Sequence, residues 1–300
     1  MKPFVKWAGG KARLLKEIER RLPADFDTWE DATYIEPFVG GGSVLFHMLE
    51  KHKNISRAII NDINPILMYS YQRIKEDPRD ILKVLETLRH EYCKLKEDKG
   101  REDFYYRARQ TFNMIKFLDD QKVAFFIFLN HTCFNGLYRE NRSGKFNVPH
   151  GRYKRPIIFE EDNIEALHIA LQNVEIHSGD FSEVFNVLNN APTFIYMDPP
   201  YRPISKGSSM FTLYEGNGFS DVDQERVKEI CDILGNQECK IMISNSDSYD
   251  DKISYFECLY NGYTIDRIQV TRMINPYNCK DRKPKEVIIT NYPTPNQINE

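Results

Sequence analysis

Three hundred residues, 41% apolar and 28% charged, exclude a disordered chain or a collagen-like repeat and suffice for one large α/β domain with an insertion, or two modest domains. A net charge of −3, from 41 Lys and Arg against 44 Asp and Glu, does not exclude a polyanionic partner, because only the contact face must be basic. The longest apolar run is the seven residues 123–129, far below the roughly 18 to 20 of a membrane span, and the apolar start gives way to Lys6 before a signal-like core can build; a soluble, cytoplasmic chain with no membrane partner is expected.

Taken in chain order, KPFVKWAGGKARLL (residues 2–15) sets an aromatic, two glycines and a lysine ahead of an amphipathic helix. A strand is predicted over Tyr34–Phe38, a helix over Ser43–Lys51 with Ser43 as its N-cap, and a second strand over Arg57–Asp62. Helical periodicity then dominates: Ile66–Lys75, Ile81–Lys96, Glu102–Phe117 and Gln121–Leu129. A polar loop punctuated by Gly and Pro spans Asn135–Pro156. Alternation resumes with strands at Val174–His177, Thr193–Met197 and Lys240–Ser244 and a helix at Val222–Leu234. Two final runs, Thr264–Met273 and Lys285–Asn291, read as an antiparallel pair joined by a basic loop. Strands alternating with helices imply a parallel sheet built of βαβ units. The expected organisation is a first catalytic part over 1–64, a helical insert over 65–160 and a second catalytic part over 161–300. Six cysteines show no CxxC pair and no zinc-finger spacing, so no metal site is assigned.

YIEPFVGGGS (residues 34–43) places three glycines after a strand and before a helix. Glycine lets backbone approach a ligand closely, and the helix N-terminus behind it offers free N–H groups. Asp62 follows Gly42 by twenty residues, at the end of the next strand, a spacing suited to a carboxylate on ribose hydroxyls. The full dinucleotide fingerprint is absent: Gly40 and Gly42 match its first two glycines, and Leu45 stands at the third. These features describe an adenosine-binding crevice and leave the cofactor open.

TFIYMDPPY (residues 193–201) ends an apolar strand on Asp198. Pro199 and Pro200 hold the chain extended without N–H donors and present rigid carbonyls. Asp198 and the Pro199 carbonyl, both acceptors, suit an amine with two hydrogens on planar nitrogen, while Tyr201 offers a face on which a base can stack, worth about 1–3 kcal/mol. Accepting both hydrogens returns electron density to nitrogen and aims it at an electrophilic methyl carbon in line.

KWAGGK, EPFVGGG, the Asn-Asp-Ile-Asn at 61–64, the Ser-Gly-Asp-Phe at 178–181 and DPPY, in that order, closely resemble the DNA adenine-N6 methyltransferases of the Dam type, D12 class and α-group order. That resemblance implies a Rossmann-like sheet dependent on S-adenosyl-L-methionine, with an inserted, mostly helical DNA-recognition domain. By it Trp7, Gly9, Gly10 and Lys11 line the cofactor's methionine end, and Pro37, Phe38 and the turn of Gly40 and Gly42 close over the sulfonium beside Asp198. Asp62 takes the ribose hydroxyls, and Asp180 takes the adenine amine with Phe181 beside it.

CFNGLYRENRSGKFNVPHGRY (residues 133–153) is similar to the segment with which members of that family read GATC. The resemblance places Phe134 and Asn135 where the target adenine leaves the stack. Leu137 and Arg139 face base edges, Lys6 meets a guanine, and Pro149 and Tyr153 complete the reading surface. Arg142, Lys145 and Arg152, with Lys154 and Arg155, then meet phosphates, which position without specifying. The implied partner is double-stranded DNA read by a monomer, one strand of a palindrome at a time; pairing with a restriction endonuclease is compatible with the resemblance. The alternatives are an RNA methyltransferase acting on a base amine, an NAD-linked oxidoreductase and a non-catalytic DNA-binding module. The last two leave DPPY or the adenosine crevice without a use.

Overall fold

A computed structural model describes residues 1–188, 191–202, 218–250, 253–269 and 285–294. Its strands are β1 (Ala32–Glu36), β2 (Ile55–Asp62), β3 (Val174–Ser178), β4 (Thr193–Met197), β5 (Lys240–Ser246), the two-residue pieces β6 (Tyr249–Asp250) and β7 (Ile253–Ser254), β8 (Thr264–Gln269) and β9 (Lys285–Thr290). Its helices are α1 (Leu15–Glu19), α2 (Ser43–Lys51), α3 (Pro65–Glu76), α4 (Arg79–Cys93), α5 (Asp98–Met114), α6 (Asp120–Thr132), α7 (Glu161–Ala170), α8 (Asp221–Asn236) and α9 (Tyr255–Leu259).

Seven strands form one sheet in the order β3-β2-β1-β4-β5-β9-β8. β1 runs parallel to β2 and to β4, and β4 parallel to β5. β9 is antiparallel to both β5 and β8, as expected for the last two runs. Every residue of β1 and of β4 is buried, which is how strands read when both faces of a parallel sheet are covered. Chain order reverses between β1 and β4, and open α/β sheets bind ligands outside the carboxyl ends of the strands at such a reversal. Those two strands lead into the glycine turn and into the Asp-Pro-Pro-Tyr segment.

The chain divides into two compact units. One comprises Ala12–Phe38, His52–Ile60 and Phe181–Glu300; its core includes Ile35, Ile195 and Ile241 from the sheet with Val227, Cys231 and Leu234 from α8. The other comprises Met1–Lys11, Val39–Lys51 and Asn61–Asp180 and holds the helices from α3 to α7. Within it α6 is apolar on all sides, with residues 123–130 buried throughout; it packs against α3, α4 and α5. Edge-on aromatic contacts of Tyr92, Phe104 and Phe128 lock that packing.

The expected elements are present with end shifts of a few residues; the short β6, β7 and α9 were not expected, and three further points differ. α7 was not expected: its apolar stripe reduces to Ile164 and Leu167, while Ile169 lies on the solvent side at 66% exposure, so the 3.6-residue period is broken. Ser43 is the first helical residue of α2 and not its N-cap; the Gly42 carbonyl accepts from Phe46 N at 3.0 Å, which puts Gly42 in the cap position. The expected strand over Thr264–Met273 is seen to Gln269, and the basic loop ahead of Lys285 lies outside the described residues.

Candidate active site

Consider first the residues after β1 and β2 in the helical unit. Asp62 ends β2 and is half-buried. Its Oδ2 accepts from Gly40 N at 3.1 Å and its Oδ1 from Asn64 N at 2.9 Å. A carboxylate offers about four lone-pair sites, so this group still has acceptor capacity toward solvent. Burial pushes its pKa up, against the lowering pull of the amides of Asn64, Gly40 and Ile63. The glycine turn is held from the other side: Tyr71 Oη donates to Gly40 O at 3.0 Å. Gly40 has φ +50°, and a Cβ there would meet the Trp7 ring at 2.7 Å; only glycine lets the indole lie against the turn.

Trp7 belongs to the N-terminal arm. Gly10 N bonds the Trp7 carbonyl at 3.2 Å, closing a turn. The buried Lys11 turns back and donates from Nζ to Gly9 O at 2.7 Å. Gly9 and Gly10 themselves are exposed. The indole stacks on Tyr138, centroids 5.9 Å apart at 20°, and meets Phe126 edge-on. Sequence reasoning passed over Tyr138. Its hydroxyl donates to Glu140, and burial followed by that carboxylate holds its pKa well above the usual phenol value.

Asp180, also half-buried, ends this unit, and Phe181 begins the sheet unit. There Phe181 stacks on Phe38, 5.0 Å between centroids at 30°, with Phe219 edge-on to Phe38. The Arg226 guanidinium lies 4.7 Å from the Phe181 centroid and donates to Ser182 Oγ at 2.8 Å. Pro37 is buried.

Asp198 follows β4 and is half-buried. Ser244 Oγ, from β5, donates to Asp198 Oδ1 at 2.9 Å, and the Tyr196 hydroxyl lies 2.9 Å from the same Ser244 oxygen. Since the single Ser244 proton goes to the carboxylate, Tyr196 is the donor in the second bond. Pro199 is buried and Pro200 exposed, but the Pro200 carbonyl accepts from Gln224 Nε2 at 2.9 Å. Of the two carbonyls that proline rigidity offers, that one already has a strong donor. Tyr201 Oη donates to Glu286 Oε2 at 3.0 Å; burial, then the charges of Asp198 and Glu286, raise its pKa well above the usual value.

Arg202 anchors the segment from behind. Its N donates to Asn245 Oδ1 at 3.1 Å, its guanidinium forks onto Asp221 at 2.7 and 3.1 Å, and Nη1 donates to Ser248 at 2.7 Å. Of these partners only Asn245 has a local signal: β5 runs from Ile-Met-Ile into Ser-Asn-Ser, polar residues ending an apolar strand as Asp198 ends β4.

The loop of residues 133–153 is a hairpin with bridges at Cys133↔His150 and Glu140↔Phe146. Phe134 is 51% exposed at its start, and Asn135 is exposed at φ +55°. Arg139 donates from Nε to Asn147 Oδ1 at 2.7 Å. Arg142 and Lys145 are exposed in the turn beyond the outer bridge, Pro149 and Arg152 are exposed on the return strand, and Leu137 and Tyr153 are half-buried. Lys6, from the arm, reaches this loop, its Nζ 5.0 Å from the Tyr153 centroid. Among the described residues no group of His, Cys, Asp and Glu is arranged to hold a metal ion, and no helix is long and apolar enough to cross a membrane.

A family model described as D12 class N6 adenine-specific DNA methyltransferase matches residues 7–274. The chain is 45% identical to the type II methyltransferase M.MjaIII of Methanocaldococcus jannaschii, over 97% of this chain and 99% of that protein. It is 33% identical to the type II methyltransferase M1.LlaDCHI of Lactococcus lactis subsp. cremoris, over 97% and 96%, and 31% identical to a DNA adenine methylase of Vibrio cholerae, over 95% and 94%. An Asp-Pro-Pro-Tyr segment after one parallel strand, a glycine turn after its neighbour and these full-length matches agree: the chain belongs to the D12 class of N6 adenine-specific DNA methyltransferases, enzymes that methylate adenine in DNA.

Proposed function

We propose that the chain methylates the N6 amine of an adenine rotated out of duplex DNA, within GATC, using S-adenosylmethionine. The observation that carries this reading is the half-buried Asp198 at the end of β4, its carboxylate oriented by Ser244. The Asp198 carboxylate and the Pro199 carbonyl accept the two amine hydrogens, so the nitrogen lone pair withdraws from the ring and points along one direction. The Pro200 carbonyl, bound by Gln224, holds the segment instead. Tyr201, its hydroxyl tied to Glu286, gives the extracted base a fixed ring to stack on.

The residues present fit the cofactor. In the helical unit Asp62 keeps acceptor capacity for a ribose hydroxyl, the glycine turn brings backbone close without side chains, and Asp180 has a carboxylate suited to an adenine amine; in the sheet unit the stacked Phe38 and Phe181 suit an adenine ring. Trp7, Gly9, Gly10 and Lys11 serve the methionine end. When bound, S-adenosylmethionine supplies an electrophilic methyl carbon.

In the insert over 65–160, Phe134 fills the vacated stack, offsetting the few kcal/mol that base rotation costs. Lys6, Asn135, Leu137, Arg139, Pro149 and Tyr153 read bases, and Arg142, Lys145 and Arg152 meet phosphates. The hairpin supports that division, since Arg139 is held by Asn147 whereas Arg142 and Lys145 sit in the outer turn. Purified protein is expected to transfer labelled methyl from S-adenosylmethionine to duplex DNA containing GATC in preference to duplexes altered at one base. Asp198→Ala is expected to bind the cofactor normally and to lose turnover. No incorporation into adenine, or near wild-type turnover in the variant, would overturn the assignment.

A further inference from the structure

Asn130 is the residue through which the N-terminal arm and the reading loop meet. It lies in the last turn of α6, is 1% exposed, and ends the apolar run of residues 123–129. Its amide makes three hydrogen bonds. Oδ1 accepts from Lys6 N at 2.7 Å, and Nδ2 donates to Lys6 O at 2.8 Å and to Gly136 O at 3.0 Å. A single side chain thus pairs both polar groups of one peptide residue, as a neighbouring strand would, and ties the same point to the loop. The Lys6 stem then lies on Gly136: a Cβ added there would come within 2.5 Å of Lys6 Cβ, at a backbone φ of +62°. The Lys6 ammonium emerges over the Tyr153 ring, 5.0 Å from its centroid.

We infer that Asn130 is a positioning residue for base reading: buried and unable to touch DNA itself, it fixes where Lys6 stands relative to Asn135 and Leu137 on either side of Gly136. This rests on the proposed role of those residues in reading the target. An amide kept only to satisfy a buried helix end would bond its own helix; all three bonds of Asn130 go instead to the two segments that present reading side chains. Since a base contact is lost or kept by displacements smaller than a hydrogen-bond length, a loosened Lys6 costs discrimination before it costs folding.

The experiment compares the full-length wild type with Asn130→Ser, Gly136→Ala, Lys6→Ala and the double variant Asn130→Ser with Lys6→Ala. Each is assayed for kcat/KM on duplexes containing GATC and on duplexes changed at the guanine, together with its thermal melting and its affinity for S-adenosylmethionine. Asn130→Ser and Gly136→Ala are each expected to lower discrimination by about tenfold, the scale of one good base contact, with cofactor affinity retained. Asn130→Ser is expected to add nothing once Lys6 is already alanine. An additive loss in the double variant, or discrimination unchanged in Asn130→Ser, overturns the inference while leaving the methyltransferase reading intact. If Asn130→Ser does not fold, Asn130→Asp, which keeps the acceptor for Lys6 N and removes the donor to Lys6 O and Gly136 O, takes its place in the same comparison. A wild type that methylates adenine with no preference among the duplexes overturns both.

Discussion

Ser244 shows how a single hydroxyl can govern a carboxylate. Tyr196 donates to it and it donates to Asp198, a relay from β4 through β5 that orients one oxygen of the Asp198 carboxylate. A hydrogen bond to a charged acceptor contributes about 1.5–3 kcal/mol, so Ser244→Ala is expected to lower kcat by roughly 10- to 100-fold while the affinity for S-adenosylmethionine stays unchanged; an equal fall in both would mean that the hydroxyl only supports the fold. The ribose role proposed for Asp62 makes cofactor binding depend on pH. In that proposed role the ionised carboxylate is the stronger acceptor for a ribose hydroxyl, and burial has raised its pKa. As pH falls through that raised value, protons displace the diol, so cofactor affinity should weaken on acidification at a higher pH than an ordinary carboxylate allows. Calorimetric titration from pH 7 downward measures this, and Asp62→Asn should be weaker and flat over the same window. An unchanged affinity in wild type would remove Asp62 from the ribose.

At the scale of elements, the hairpin of residues 133–153 carries two kinds of cation. Arg139 is braced by Asn147, while Arg142 stands in the turn closed by Glu140 and Phe146. Arg139→Ala is expected to relax sequence preference by about 1–3 kcal/mol at one base position, whereas Arg142→Ala should weaken binding to all duplexes alike and reduce the salt slope by about 1. Fluorescence anisotropy across a salt series, on matched and altered duplexes, distinguishes the two; identical profiles would erase the division. The elements are unevenly legible in the sequence. α6 announced itself through its apolar run, and β4 through five apolar-compatible residues ahead of Asp198. α7 did not, because an exposed Ile169 disrupts its stripe, and the cap of α2 was displaced by one residue because Gly42 can take a φ of +77° that leaves Ser43 helical.

For the whole molecule, stability rests on the middle of the sheet. Ile195 is fully buried in β4, which lies between β1 and β5, so Ile195→Ala is expected to lower the unfolding free energy by about 2–5 kcal/mol, measured by urea denaturation. A loss below about 1 kcal/mol would show that the site collapses around the cavity. The family, the parallel sheet and the motif residues Gly40, Asp62 and Asp198 followed from the sequence alone, because turns, strand ends and acceptor carboxylates are local features whose chemistry goes with residue type and spacing. What surrounds them did not. That Ser244 aims Asp198, that Gln224 occupies the Pro200 carbonyl, and that Asn130 joins Lys6 to Gly136 across more than a hundred residues were decided by the tertiary structure. Hydrogen bonds between distant segments depend on where the packed core places two backbones, and no spacing along the chain encodes that distance.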